Sequence, residues 1–176
     1  MLDAAGIDYM LAGSFASTYH GIPRTTQDLD LVVAPDFSSL KRLLAALPDD
    51  DYYVSSEAAM EALRNRRSFN VIDMATGWKA DLIIRKAREF SEVEFARRKP
   101  AEIVGVTVPI ATAEDTILSK LEWAQQSPSE RQLRDVAGVL QVSGEHLDRS
   151  YLDHWADELG VAASWQELQD LAEEKS

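Results

Sequence analysis

Gln27-Asp28-Leu29-Asp30-Leu31-Val32-Val33-Ala34-Pro35 reads as a β-strand, β-branched toward its end and stopped by proline. Successive side chains on a strand point to opposite faces, so Asp28 and Asp30 share one face while Leu29 turns to the core. Two carboxylates about 6–7 Å apart repel by roughly 2–3 kcal/mol at an effective dielectric near 20, so that face calls for positive charge. Mg²⁺ suits it, because that ion prefers hard oxygens and commonly takes one or two carboxylates together with phosphate oxygens and water. The competing reading is a solvated edge, on which Asp-x-Asp arises easily in a chain this acidic.

Upstream, Asp8-Tyr9-Met10-Leu11-Ala12 is a short apolar strand that meets Gly13-Ser14, and Phe15–His20 looks helical until Gly21 and Pro23 stop it. At a strand-to-helix turn, Gly13 lets a phosphate approach the backbone, and free N–H groups with the helix dipole favour an anion. A plain turn with Ser14 as N-cap explains the same two residues.

Downstream, Asp36 caps a helix whose apolar positions are Phe37, Leu40, Leu43, Leu44 and Leu47. A helix over Glu57–Asn65 precedes strands at 68–74 and 78–84, joined through Thr76-Gly77 as an antiparallel hairpin. Asp81 lies in the second of these and completes a set of three acids if that strand neighbours the first. Three such acids hold two ions, which orient a nucleoside triphosphate and activate an attacking hydroxyl. Residues 104–110, interrupted by Gly105 and carrying Pro109, suit an edge strand.

From Thr112, an N-cap, the pattern is helical to Gln126 through Ile117, Leu118, Leu121 and Trp123. Ser127-Pro128-Ser129-Glu130 has the cap, proline and glutamate of a helix start, and Leu133, Val136, Val139 and Leu140 follow it. Further helices are expected at about Leu147–Leu159 and Trp165–Glu174, the last opened by the capping box Ser164-Trp165-Gln166-Glu167. There is no internal repeat.

A length of 176 residues suits one domain, or a core with a small helical annex, and is too short for two full domains. With 45% hydrophobic and 27% charged residues the chain is an ordinary globule, not a fibrous or disordered one. Its net charge of -12 disfavours bulk attraction to nucleic acid or an anionic membrane. Residues 1–100 carry 15 acids against 13 bases and residues 101–176 carry 15 against 5, so the surplus belongs to the C-terminal helices. Zero cysteines exclude disulfides, a thiolate nucleophile and zinc fingers. With no leader-like N-terminus and no apolar run near 18 residues, a cytoplasmic protein is expected.

Gly13-Ser14, thirteen residues, then Asp28-Leu29-Asp30, with Arg24-Thr25-Thr26 before the acids, resembles the nucleotidyltransferase superfamily that includes DNA polymerase β. The likeness is closer to its minimal bacterial AbiEii-like toxin group. Residues 109–121, followed by Arg134-Asp135-Val136, resemble that group's helical segment, with Lys120 and Asp135 at its functional positions.

The resemblance implies a mixed-sheet α/β core over residues 1–110 and a C-terminal helical bundle over 111–176. It implies Mg²⁺ or Mn²⁺ on Asp28, Asp30 and Asp81, with Asp81 helping to deprotonate the attacking hydroxyl. It places Gly13, Ser14, Arg24 and Lys120 on the triphosphate, with Asp135 orienting Lys120. An exposed helix ion pair is the plain alternative for Lys120 and Asp135.

The activity so implied moves a nucleoside monophosphate from an NTP to a hydroxyl on RNA, protein or a small molecule such as an antibiotic, and it brings an antitoxin partner with it. For RNA, Arg64, Arg66, Arg67, Arg85, Lys86 and Arg88 would form the landing surface, although most such charges are simply solvated. The competing class is a nucleotide-binding or protein-interaction module without turnover. His20, His146 and His154 lack metal-ligand spacing. No Gly-x-Ser-x-Gly elbow, Walker loop or Gly-x-Gly-x-x-Gly is present.

Overall fold

A computed structural model describes residues 1–127 and 129–173. Its chain contacts gather into two compact units, Met1–Ala12 with Thr26–Ile110, and Gly13–Thr25 with Ala111–Ser176. The segment after the first strand, Gly13–Thr25, is grouped with the helices that follow Ile110.

The first unit contains α1 (Leu2–Ala5), β1 (Tyr9–Leu11), β2 (Asp28–Val33), α3 (Phe37–Ala46), β3 (Tyr52–Tyr53), α4 (Ser56–Asn65), β4 (Ser68–Asp73), β5 (Lys79–Ile84), α5 (Glu89–Arg97), β6 (Lys99–Ile103) and β7 (Val106–Ile110). Its seven strands form one mixed sheet in the order β3-β4-β5-β2-β1-β7-β6. The pairs β2/β5 and β1/β7 are parallel and the rest antiparallel, including the expected β4–β5 hairpin.

Alternation decides the faces of this sheet. Val33, Leu82, Ile84 and Phe69 bury one side under Leu40, Leu43, Leu47, Ala59 and Ala62, with Leu31 and Ala80 packed against them. Asp36 caps α3 as expected, in a reciprocal box with Ser39. Hydrogen bonds from the Ser39 backbone and the Ser38 hydroxyl hold its carboxyl down at about 2. Phe37, read as a core position, is exposed and carries the Lys41 ammonium 5.4 Å from its ring centroid.

The expected edge strand is displaced by one place. β7 lies inside β6 (Lys99–Ile103), a strand the sequence reading did not contain, and Pro100 of β6 stands opposite Pro109. Toward β1, the ladder pairs Ile110, one residue past that proline, with Leu11, so Pro109 fits a non-edge strand. Gly105 lies in the turn between β6 and β7, at φ 77.

The second unit contains α2 (Gly13–His20), α6 (Ala113–Gln126), α7 (Glu130–Ser143), a 3₁₀ turn (Gly144–His146), α8 (Arg149–Glu158) and α9 (Ala162–Glu173). Thr112 caps α6 as expected, accepting from the Asp115 backbone at 3.2 Å. Ile117, Leu118 and Leu121 are buried, whereas Trp123 is exposed. Ser127 closes α6 instead of opening α7, whose cap position is Ser129 without a side-chain bond. Pro128 lies outside the described residues.

α8 begins two residues later than expected because the 3₁₀ turn uses the preceding chain and Asp148 caps the helix. α9 begins at Ala162, so Ser164 sits inside it and is no cap. Gly160, at φ 70, ends the preceding turn, and the Trp165 backbone already donates to Val161. Glu174, the expected end of this helix, lies outside the described residues.

α2 packs against α6 and α7. A Cβ on Gly21 would meet the Val139 nitrogen at 2.7 Å and the Gly138 carbonyl carbon at 2.8 Å, so glycine permits this approach. No helix among the described residues is long and apolar enough to cross a membrane.

Candidate active site

β2 and β5 are adjacent and parallel, with Asp28 opposite Lys79 and Asp30 opposite Asp81. Register partners share a face, so all three predicted carboxylates lie on one side of the sheet, away from Leu31 and Leu82. β4 extends the same face, placing Asn70 opposite Asp81 and Ile72 opposite Lys79.

On this face, Lys79 is a residue that sequence reasoning missed. Its Nζ lies 3.0 Å from an Asp81 oxygen and 3.5 Å from an Asp28 oxygen. The available signal was its place two residues before Asp81 on one strand, which forces both side chains to one face. The hydrogen bond to Asp81, with the charges of Asp81 and Asp28, pushes the Lys79 ammonium pKa up against the opposing effect of burial. Asp28 is 58% exposed and Lys79 34%, so water screens this cluster.

Among the described residues, no three His, Cys, Asp or Glu side chains are gathered closely enough to hold a metal ion as they stand. The chemistry of the donors is that of a hard-cation site: three carboxylates share one sheet face, and a cation, the Lys79 ammonium, already stands between two of them.

The other predicted residues gather within the second unit. Gly13, at φ 58, admits the turn into α2, where Ser14 follows in the first helical turn. Arg24 donates from Nη2 to Ser14 Oγ at 2.5 Å and grips Asp135 bidentately, Nε to Oδ1 at 2.9 Å and Nη2 to Oδ2 at 3.0 Å. Lys120 Nζ donates to Asp135 Oδ2 at 2.7 Å and to Gln132 Oε1 at 2.9 Å. Ser17 adds a bond to Asp135 Oδ2 at 3.3 Å and one to the Ser14 carbonyl at 3.0 Å.

The alternative of an exposed helix pair fails here, since the Lys120 and Asp135 side chains are only 6% and 7% exposed. Burial by itself would raise the Asp135 pKa, but hydrogen bonds and charge from Arg24 and Lys120 outweigh it and hold that carboxyl below its ordinary value. Two guanidinium or ammonium cations against one carboxylate give these groups a net positive formal charge. Ser17 and Gln132 were missed, although Ser14/Ser17 and Gln132/Asp135 each show the three-residue spacing of one helix face.

The basic residues suggested as an RNA surface divide from the carboxylates along the strands. Arg66 Nη1 donates to the Arg85 carbonyl at 2.7 Å, and the Ile84 backbone donates to the Arg67 carbonyl. This is the far end of β5, about 13 Å along the strand from Asp81 at roughly 3.3 Å per residue. His20 Nε2 lies 2.7 Å from the Ala111 carbonyl oxygen, a structural hydrogen bond.

No family model matches the sequence, and no curated protein matches it. An antigenic nucleotidyltransferase-like protein from Paracoccidioides brasiliensis is similar over 98% of this chain and 87% of its own, at 16% identity and a TM-score of 0.60. ANT(2")-Ia, in complex with adenylyl-2"-tobramycin, is similar over 89% of each chain at 14% identity and a TM-score of 0.57. The lincosamide antibiotic adenylyltransferase LnuA, lincomycin-bound, is similar over 80% of this chain and 90% of its own, at 10% identity and a TM-score of 0.54. The mixed sheet followed by helices is therefore a nucleotidyltransferase fold.

Proposed function

We propose that this chain is a metal-dependent nucleotidyltransferase that transfers a nucleoside monophosphate from an NTP to a hydroxyl group. The observation that carries the reading is the parallel β2/β5 register, with Asp28, Asp30 and Asp81 on one face of a sheet of that fold. Those three residues would hold Mg²⁺ or Mn²⁺, which when bound supplies charge for the triphosphate oxygens and acidifies the attacking hydroxyl.

Asp81 accepts the hydroxyl proton. The hydroxyl oxygen forms a bond to the α-phosphorus, and the bond to the bridging oxygen breaks, releasing pyrophosphate. Gly13, Ser14, Arg24 and Lys120 are assigned to the triphosphate, and Asp135 holds Arg24 and Lys120 in place. A small-molecule acceptor draws support from the antibiotic adenylyltransferases among the similar folds, and RNA from the basic cluster beside Arg85. The AbiEii-like likeness adds an antitoxin to this proposal. A second reading, a binding module without turnover, draws support from Lys79, which already supplies a cation to Asp28 and Asp81.

The test is incubation with each α-labelled NTP and Mg²⁺ or Mn²⁺, with total RNA, cell extract or hydroxyl-bearing antibiotics as acceptors. Label should move to one acceptor class and fall at least about 100-fold in the Asp28→Asn/Asp30→Asn double variant. Transfer that survives this variant assigns the chemistry to other residues. Metal-dependent nucleotide binding without transfer favours the silent module.

A further inference from the structure

We propose that Lys79 is a resident counter-ion of the carboxylate face, a positioning residue whose ammonium occupies the cation position between Asp28 and Asp81 until a divalent ion displaces it. The inference rests on the metal-dependent reading of the same face and deepens it by naming what the metal must compete with.

Backbone register leaves Lys79 no other face. It stands opposite Asp28 on the neighbouring strand and two residues before Asp81, while Ala80 and Leu82, its alternates, pack with the core. Its ammonium contacts one oxygen of each acid, at 3.5 and 3.0 Å. A divalent ion at about 2.0–2.1 Å from carboxylate oxygens needs those same lone pairs turned toward itself. Two cations in one such position repel, so occupancy by metal and by Lys79 is mutually exclusive.

The four-carbon stem lets the ammonium swing into solvent while the strand stays paired, and the partial exposure of Lys79 provides the way out. Without metal, Lys79 relieves the repulsion among the acids. With metal, it is freed from them. Lys79 therefore sets the divalent-ion concentration at which the site loads.

Mn²⁺ titration, followed by electron paramagnetic resonance at fixed pH, compares the wild-type chain with Lys79→Gln, Lys79→Arg and Asp28→Asn/Asp30→Asn. Lys79→Gln should bind Mn²⁺ about tenfold more tightly than wild type, and Lys79→Arg should stay close to wild type. Acetylation of the wild-type chain, read residue by residue by mass spectrometry, should show Lys79 reacting faster once Mn²⁺ is added. That second readout decides the matter if Lys79→Gln does not fold. Wild-type binding that depends on Asp28 and Asp30, with no tightening in Lys79→Gln or with Lys79 reactivity unmoved by Mn²⁺, overturns the counter-ion alone. Absence of binding in both wild type and Lys79→Gln overturns the metal reading as well.

Discussion

Asp28 and Asp135 are both aspartates with cationic partners, yet their surroundings predict opposite consequences. Asp135 is buried between Arg24 and Lys120, and Asp135→Asn leaves two cations with their shared charge partner removed. Breaking a buried pair in this way costs about 3–5 kcal/mol, so Asp135→Asn should unfold at markedly lower urea. Asp28 is mostly exposed, and Asp28→Asn should change stability by less than about 0.5 kcal/mol while lowering transfer.

Acid titration should separate the two aspartates further. The Asp135 pKa is depressed by folding, so its contribution to stability is present above the unfolded value of about 3.9 and is lost as pH falls through the lower folded value. The acid limb of a stability–pH curve below about pH 4 should therefore be shallower in Asp135→Asn than in wild type. Equal limbs would show that the carboxylate is not depressed.

At the scale of elements, the contact of α2 with α7 depends on the absence of a side chain. Gly21→Ala places a Cβ under 3.0 Å from Val139 and Gly138 backbone atoms, which cannot rotate aside. The helices must separate, and a loss of about 1–3 kcal/mol is expected in a urea melt. A neutral result would mean that α2 shifts without loss of packing.

Elements with periodic patterns or strong caps were legible in the sequence: β2, β5, α3 behind Asp36 and α6 behind Thr112 all stand where expected. α5 and β6 were not, because Glu89–Arg97 has no strong apolar stripe and Lys99-Pro100 does not look like a strand. Local capping signals misplaced the starts of α7 and α9. At Ser127 the preceding helix uses the residue as its end, and at Ser164 the turn at Gly160 starts the helix early.

On the scale of the whole molecule, electrostatics is dominated by a net charge of -12, most of it C-terminal to residue 100. Crowded exposed carboxylates repel one another, and salt screens that repulsion over about 8 Å at 0.15 M. Raising NaCl from 0.02 to 0.3 M should lift the thermal midpoint by about 2–4 °C, if screening relieves about 1 kcal/mol. A falling midpoint would mean that exposed ion pairs such as Lys79 with Asp81 outweigh the repulsion.

The sequence by itself determined the class of fold, the face shared by Asp28 and Asp30, and the placement of the acid surplus, because alternation, capping and charge counts are local properties. Tertiary structure alone decided that Asp81 stands in register with Asp30, that Lys79 occupies the space between the acids, and that Arg24 and Lys120 converge on the buried Asp135 side chain. Apart from Lys79 and Asp81 on one strand, those facts join residues 15 to 111 positions apart. They follow from strand pairing and helix packing, which no local pattern encodes.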